Sequence, residues 1–229
     1  MVTDPPLLSI RRQFPRPPAE LVAAFAGAAT GHVVDALGGA GALDYRIKPL
    51  AGGPASFHGV ALPCWTGPAD NLALFGALDC ARPGDVVIAA TGAYVGAAVV
   101  GDLVVGMMRN CGVAAFVTDG VVRDVAGINL VGLPVFGAGV SPNSPARNGP
   151  GKVGLPIVLG DVAIEAGDIL VGDADGVVVV PQSRAREVVA RLKAVREAEA
   201  IVEAQVKAGA RRLESLVPLL RGERIEEIP

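Results

Sequence analysis

One stretch constrains this chain more than any other. Residues 86–108, VVIAATGAYVGAAVVGDLVVGMM, carry a single charge, Asp102. The run is long enough to pass for a membrane span. The glycines at 92, 96, 101 and 106 interrupt it, and turn signals bracket its first half. A buried strand over 86–90, a glycine-rich loop and a buried helix from 102 explain it better than a span. In either case a carboxylate amid apolar residues must be paired, metal-bound or set at a polar cleft. Asp102 is therefore the first candidate functional residue.

The rest of the composition limits what such a site can serve. In 229 residues, 51% are hydrophobic and only 4% aromatic, so a large Ala/Val/Gly-rich core is within reach. The net charge is −3 and no stretch gathers Lys and Arg, which argues against nucleic acid as a partner. Cys64, Cys80 and Cys111 are odd in number and lack CxxC spacing, so a complete disulfide framework is not expected. With His32 and His58 as the only histidines, a Cys/His zinc site is not expected either. The first residues, MVTDPPLLSIRRQFPRPP, place Asp4 and prolines where a signal peptide would have its apolar run. A cytoplasmic protein with no membrane partner is the resulting expectation.

Residues 1–17 read as an N-terminal arm, 18–181 as one α/β domain, and 182–229 as a C-terminal helix and tail that packs on the domain or a neighbouring subunit. Pro17 and Pro18 open a helix bearing Leu21, Val22 and Phe25. Thr30 is placed to cap a second helix, which Gly38–Gly39 stops at Leu37. Segment 43–63 reads as short strands, and Asp70 as the cap of a helix with Leu72, Phe75 and Leu78 on one face. ARPGD turns into the strand 86–90. Asp175–Gly176 marks a hairpin between ILVG and VVVV. The last helix, over roughly 182–215, carries a stripe of Val188, Leu192, Val195, Val202 and Val206. The stripe position at 199 holds Glu199, facing either the edge of the stripe or a polar pocket. No glycine fingerprint for a dinucleotide or a phosphate loop is present.

Distant residues are expected to meet around Gly101. Leu103, Val104, Met107, Met108 and Cys111 recur at helical spacing, so 102–111 reads as a helix with those residues on its buried face. AAFVT, 114–118, reads as a buried strand. A ten-residue helix spans ~15 Å, and a five-residue strand returns ~17 Å. The chain thus leaves one sheet edge at Gly101 and comes back near Asp119. Asp102, Arg123 and Asp124 then share that edge, where ligands of open α/β sheets bind. The N–H groups of 102–104 offer an anion site, Arg123 a two-pronged donor, and Asp124 a hard oxygen suited to Mg²⁺. Taken singly, Arg123–Asp124 would be an ordinary surface pair worth about 0–1 kcal/mol, and Asp102 a first-turn acid beside a helix dipole.

Gly101–Asp102, then twenty residues, then Arg123–Asp124, is a spacing that resembles a known family signature. GPADNLALFGALDCARPGDVVI at 67–88 and AGDILVGDADGVVVVP at 166–181 resemble its flanking blocks. The family is the 4-hydroxy-4-methyl-2-oxoglutarate aldolase/oxaloacetate decarboxylase group, related to the regulator of ribonuclease E activity A. The resemblance covers most of residues 18–205, and SPNSPARNGPGKV at 141–153 matches a family loop loosely.

The resemblance implies a single-domain α-β-β-α sandwich like the swivelling phosphohistidine domains, assembled as homotrimers or homohexamers with sites between subunits. It implies Mg²⁺ or Mn²⁺ on Asp124, partly through water. Arg123 would contact the pyruvate oxygen, and the backbone of Gly101, Asp102, Leu103 and Val104 its carboxylate. Asp102 would orient a water, and Glu199 would reach the site from the adjacent subunit. The implied activity is metal-assisted cleavage of a 4-hydroxy-2-oxo acid to pyruvate, with oxaloacetate decarboxylation beside it. A second class is a non-catalytic regulator of an RNA-processing enzyme; the carboxylate after Arg123 favours the enzyme. A third, a phosphoryl-carrier domain, needs an exposed histidine on a glycine-rich turn, and neither His32 nor His58 fits.

Overall fold

The structure, a computed structural model, describes residues 4, 6–53 and 55–228. The first residues of the expected arm, 1–3 and 5, lie outside the described residues. In chain order the elements are β1 (Leu8–Ile10), α1 (Ala19–Ala23), α2 (Thr30–Leu37), β2 (Lys48–Ala51), β3 (Phe57–Trp65), α3 (Leu72–Leu78) and β4 (Asp85–Ala90). Then come β5 (Ala98–Val100), α4 (Asp102–Asn110), β6 (Ala115–Thr118), β7 (Val121–Val122), α5 (Val125–Val131), β8 (Val135–Gly137) and β9 (Gly139–Val140). The chain continues through β10 (Gly151–Val153), β11 (Ile157–Leu159), β12 (Val162–Ile164), β13 (Ile169–Asp173), β14 (Gly176–Val180), α6 (Ala185–Lys207) and α7 (Val217–Leu220).

The largest sheet is mixed. Its path runs β1-β10-β3-β4-β6-β8-β2, with the β13–β14 hairpin joined to β3. β3, β4, β6 and β8 are parallel neighbours, and their side chains are buried on both faces. That is the usual reason a parallel strand reads as a continuous apolar run. Leu62, Cys64, Val87, Ala89 and Phe116 face one core, shared with α3 and α4. Ala61, Val86, Ile88, Ala115 and Val117 face a second core, closed by Ile157, Ile164 and Leu170. The other face of the β13–β14 hairpin meets α1, α2 and α6 through Phe25, Val33, Val178 and Val188. Helices thus cover both outer sides of a mixed β interior. The expected split of 86–108 holds: it forms β4, a loop, β5 and the start of α4. Among the described residues, no helix is long and apolar enough to cross a membrane.

Three local expectations differ from the structure. α3 buries Ala73, Leu74, Gly76 and Ala77, while Leu72, Phe75 and Leu78 are only half-buried. Small residues let this helix lie close on β10 and β3, so the bulky stripe turns aside. Thr30 is the first residue of α2, not its cap. Its N–H and hydroxyl both donate to the Asp173 carboxylate, at 2.8 and 2.7 Å, so the capping oxygens come from the hairpin. In α4, Val104, Val105 and Met108 are buried, whereas Leu103 and Met107 face outward.

The arm is fastened to the domain. β1 runs parallel to β10, and Arg16 pairs by both Nη atoms with the fully buried Asp85, whose Oδ2 also accepts from Arg82 N at 2.9 Å. Removing one partner of a buried pair strands the other charge, at a cost of about 3–5 kcal/mol. Arg16 is a fifth exposed, so Arg16→Met is expected at the low end, about 3 kcal/mol less stable than wild type by urea unfolding. A loss below ~0.5 kcal/mol, the range of an ordinary surface change, would show that the arm does not secure Asp85.

Candidate active site

The residues around Gly101 meet through a small second sheet that periodicity does not reveal. β5, β7 and β9 form a parallel three-stranded sheet, with Val100 opposite Val122. Arg123 N donates to Val100 O at 3.0 Å, which sets Arg123 directly beside Gly101. The expected juxtaposition therefore holds, but β7 enforces it and not the end of β6. Two residues is a short strand, too brief to appear as a pattern in the sequence.

Asp124 follows in the left-handed conformation (φ 56°, ψ 41°), as the N-cap residue of α5. A non-glycine residue held there costs of order 1–3 kcal/mol, and such strain gathers at functional sites. Asp tolerates the region better than most. The turn brings its carboxylate back along Arg123, with Oδ2 at 3.2 Å from Nε. Both side chains remain open to solvent, 36% and 44% exposed, so a ligand can reach them.

Gly101 makes this possible. A Cβ built there would collide with Asp124 Oδ2 and crowd Arg123 Nε and Cγ. Gly127 plays the matching part in α5, where a Cβ would strike the Asp102 carboxylate. Asp102 thus lies over the first turns of α5, close in the fold to the Arg123–Asp124 corner. Its Oδ1 accepts from Leu103 N at 2.8 Å. The expected anion site on the N–H groups of 102–104 is therefore partly occupied by the chain itself. Val104 is buried, while Leu103 stands 77% exposed at the rim.

Glu199 takes a different place. It stands on α6, with its carboxylate against His32 Nε2 of α2. α6 packs on α1 and α2, whereas the corner is built on α4 and α5. His58 sits in β3, opposite Val171 of β13.

Sequence reasoning passed over two residues here. Arg123 Nη1 donates to Ser144 Oγ. Asn71, buried ahead of α3, donates from Nδ2 to Val99 O at 3.0 Å, while its own Oδ1 makes no hydrogen bond among the described residues. Both lie in segments whose family likeness was visible, but neither residue type signals chemistry by itself.

Among the described residues, no three His, Cys, Asp or Glu side chains converge as a metal cage. The corner still suits one kind of cation. Mg²⁺ keeps several waters and binds through one or two carboxylates, which Asp124 and the nearby Asp102 can provide. A cavity of about 300 Å³ lies elsewhere, bordered by Arg46, Ile47, Val95, Asp119 and Val158. Two of its carboxylates, Asp44 and Asp119, are already engaged. The hydrogen bond from Arg46 holds the Asp44 carboxyl down at about 2, and Asp119 accepts from Thr91 N, Thr91 Oγ1 and Ala93 N.

Comparisons with known proteins bear on the family and the fold. Residues 30–179 match the RraA-like family model, described as Aldolase/RraA. A Halalkalibacterium halodurans protein named "Putative 4-hydroxy-4-methyl-2-oxoglutarate aldolase" is 37% identical over 166 residues, covering 70% of this chain and 76% of that one. A Streptomyces coelicolor structure, described as an unusual member of the RNase ES inhibitor RraA protein family, is 26% identical with a TM-score of 0.74. It covers 83% of this chain and 100% of the other. The structure of the RNA-processing inhibitor RraA from Thermus thermophilis is also 26% identical, with a TM-score of 0.62 over 67% of this chain and 93% of its own.

The role of Gly101 can be checked directly. In Gly101→Ala the new methyl must push Asp124 aside, by roughly 1 Å to restore ordinary van der Waals separation. The fold should survive, since the corner is exposed. A crystal structure of the variant with Arg123 and Asp124 unmoved would show that the glycine is not what lets them approach.

Proposed function

Starting from the fact that the chain belongs to the RraA-like (Aldolase/RraA) family, we propose that it is a divalent-metal-dependent carbon–carbon lyase. Its substrate would be a 4-hydroxy-2-oxo acid such as 4-hydroxy-4-methyl-2-oxoglutarate, cleaved to pyruvate, with oxaloacetate decarboxylation as a second activity. One observation carries the reading: a guanidinium and a carboxylate on a left-handed backbone stand side by side against the Gly101–Asp102 turn, both reachable from solvent. The name of the Halalkalibacterium relative supports the same class. The kinship with swivelling phosphohistidine domains belongs to this reading and draws on the helix-covered β interior.

Asp124, with Asp102 nearby, would hold Mg²⁺ or Mn²⁺. When bound, the metal supplies Lewis-acid polarisation of the substrate's 2-oxo group. Arg123 points donors at the oxygen on which negative charge grows as the C3–C4 bond breaks, the kind of preorganised contact that lowers such barriers most. Asp102 would hold the water that takes the C4 hydroxyl proton and, after the C3–C4 bond has broken, returns a proton to C3 of the enolate to give pyruvate. The N–H groups at 102–104 receive the substrate carboxylate, which would displace Asp102 Oδ1 from Leu103 N. Oxaloacetate losing CO₂ develops charge at the same oxygen, so the same residues serve both reactions. No lysine is needed as a covalent partner.

The proposal includes a homotrimer or homohexamer. Leu103 and Met107 on α4 and Leu130 on α5 are exposed apolar residues on the two helices that build the corner. Ile201, Val202 and Val206 are exposed apolar residues among the charged ones on the C-terminal half of α6. A neighbouring copy would cover such surfaces and could bring its Glu199 to the site, which would require parting it from His32. Sedimentation should give three or six chains; a stable monomer at micromolar concentration would remove Glu199 from the mechanism. The similar structures described as RNA-processing inhibitors support a second role, as a protein regulator. Asp124 has no assigned purpose in that role.

The test compares turnover with melting temperature. Arg123→Ala should lose about 10²–10³-fold in kcat, the worth of one donor to a developing oxyanion. Its stability should stay within about 1 kcal/mol, as for an exposed residue. Arg123→Lys should recover only part, since an ammonium lacks the planar fork. Asp124→Asn should abolish pyruvate formation with the fold intact. Equal turnover in wild type and all three variants would place the site elsewhere.

A further inference from the structure

The loop from Ser141 to Gly149 is clamped across the corner from both sides. On one side, Ser141 N donates to Val122 O at 2.9 Å. Asn143 binds the approach to β5 twice: its O accepts from Ala98 N at 2.9 Å, and its Nδ2 donates to Gly96 O at 2.9 Å. On the other side, Ala146 N donates to Ala69 O at 2.7 Å and Ala146 O accepts from Asn71 N at 3.0 Å. The buried Asp70 carboxylate then accepts from Asn148 N at 2.6 Å and Gly149 N at 3.2 Å, while its other oxygen takes Leu72 N at 2.8 Å. Ser144 lies between these anchors. The backbone that carries its hydroxyl is therefore held in place, although the residue itself is exposed.

That hydroxyl accepts from Arg123 Nη1. An arginine next to an aspartate tends to close on it with two parallel hydrogen bonds. Here Asp124 lies against Nε, while Nη1 is drawn to Ser144. A guanidinium has five N–H donors; one N–H of Nη1 is committed to Ser144 and Nε lies in an ion-pair contact with Asp124, so about four N–H groups are not bound in a hydrogen bond of this chain. We propose that Ser144 is a positioning residue for Arg123: by anchoring Nη1 it fixes the tilt of the guanidinium plane, so that the plane does not turn to close its Nε–Nη2 edge on Asp124, leaving the remaining donors for substrate and the carboxylate for a cation. The inference rests on the lyase reading for its catalytic consequence, but not for its geometry.

Ser144→Ala and Ser144→Thr separate positioning from bulk. With oxaloacetate and Mg²⁺, Ser144→Ala should lower kcat roughly tenfold, the worth of one hydrogen bond to a charged group. KM should change less than about twofold, as expected for an interaction that matters in the transition state. Ser144→Thr keeps the hydroxyl and should restore most of the rate. Mn²⁺ should bind Ser144→Ala more weakly than wild type, because Arg123 then competes for Asp124. Wild-type kinetics and Mn²⁺ affinity in Ser144→Ala would overturn the proposal, as would equal losses in both variants accompanied by lower melting temperatures. NMR of the labelled Arg123 side chain gives a readout apart from activity. Rotation about its Nε–Cζ bond should be slow in wild type and Ser144→Thr, and faster in Ser144→Ala. If wild type forms no pyruvate, this pattern would leave the positioning role standing while the lyase reading falls. Equal rotation in the three proteins would overturn the role itself.

Discussion

Everything at the candidate site depends on the parallel pairing of β5 with β7. It joins two chain segments that follow different strands of the main sheet, β4 and β6, and it places Arg123 beside Gly101 through one backbone hydrogen bond. Because β7 ends immediately, Asp124 can turn back in the left-handed region, and the missing side chain at Gly101 leaves its carboxylate room. The two parallel strands that feed this sheet, β4 and β6, are buried on both faces and give the corner a rigid base. Sites built on such elements hold their geometry better than sites on free loops.

The site's exposure has a physical reason as well. Arg123 and Asp124 are charged groups whose burial would cost free energy unless every donor and acceptor were paired, so they stay at the surface. The apolar residues on the same helices, Leu103, Met107 and Leu130, are exposed for no reason that a lone chain supplies. In the proposed oligomer a neighbouring copy would cover them. The Asp70 clamp performs a related task within one chain, spending a buried carboxylate on backbone N–H groups to hold the 141–149 loop still.

Much of this was legible from residues alone, and the parts that were not share a cause. The lone Asp102 in an apolar run pointed to the site, and the lengths of α4 and β6 returned the chain to it. The Asp175–Gly176 turn and the Gly38 stop of α2 follow from local backbone chemistry, so they were read correctly. The faces of α3 and α4 were not, because which stripe is buried depends on how closely the partner strand approaches. Ala73, Gly76 and Ala77 allow a close approach that hydrophobic periodicity alone does not weigh. The capping of Thr30 by Asp173 and the Ser144–Arg123 contact are tertiary, linking residues far apart in sequence with no pattern to mark them. Family likeness supplied the expected metal and substrate class; nothing in spacing or burial would have chosen pyruvate.

The central claim is that Arg123 and Asp124 form a metal-dependent lyase site. Its most direct test is the release of pyruvate from 4-hydroxy-4-methyl-2-oxoglutarate and from oxaloacetate by the pure protein, measured with added Mg²⁺, after chelation, and after Mg²⁺ is returned. The account predicts pyruvate from both compounds, lost on chelation and regained with the metal. Absence of pyruvate from either compound with Mg²⁺ present, or turnover indifferent to chelation, would contradict it.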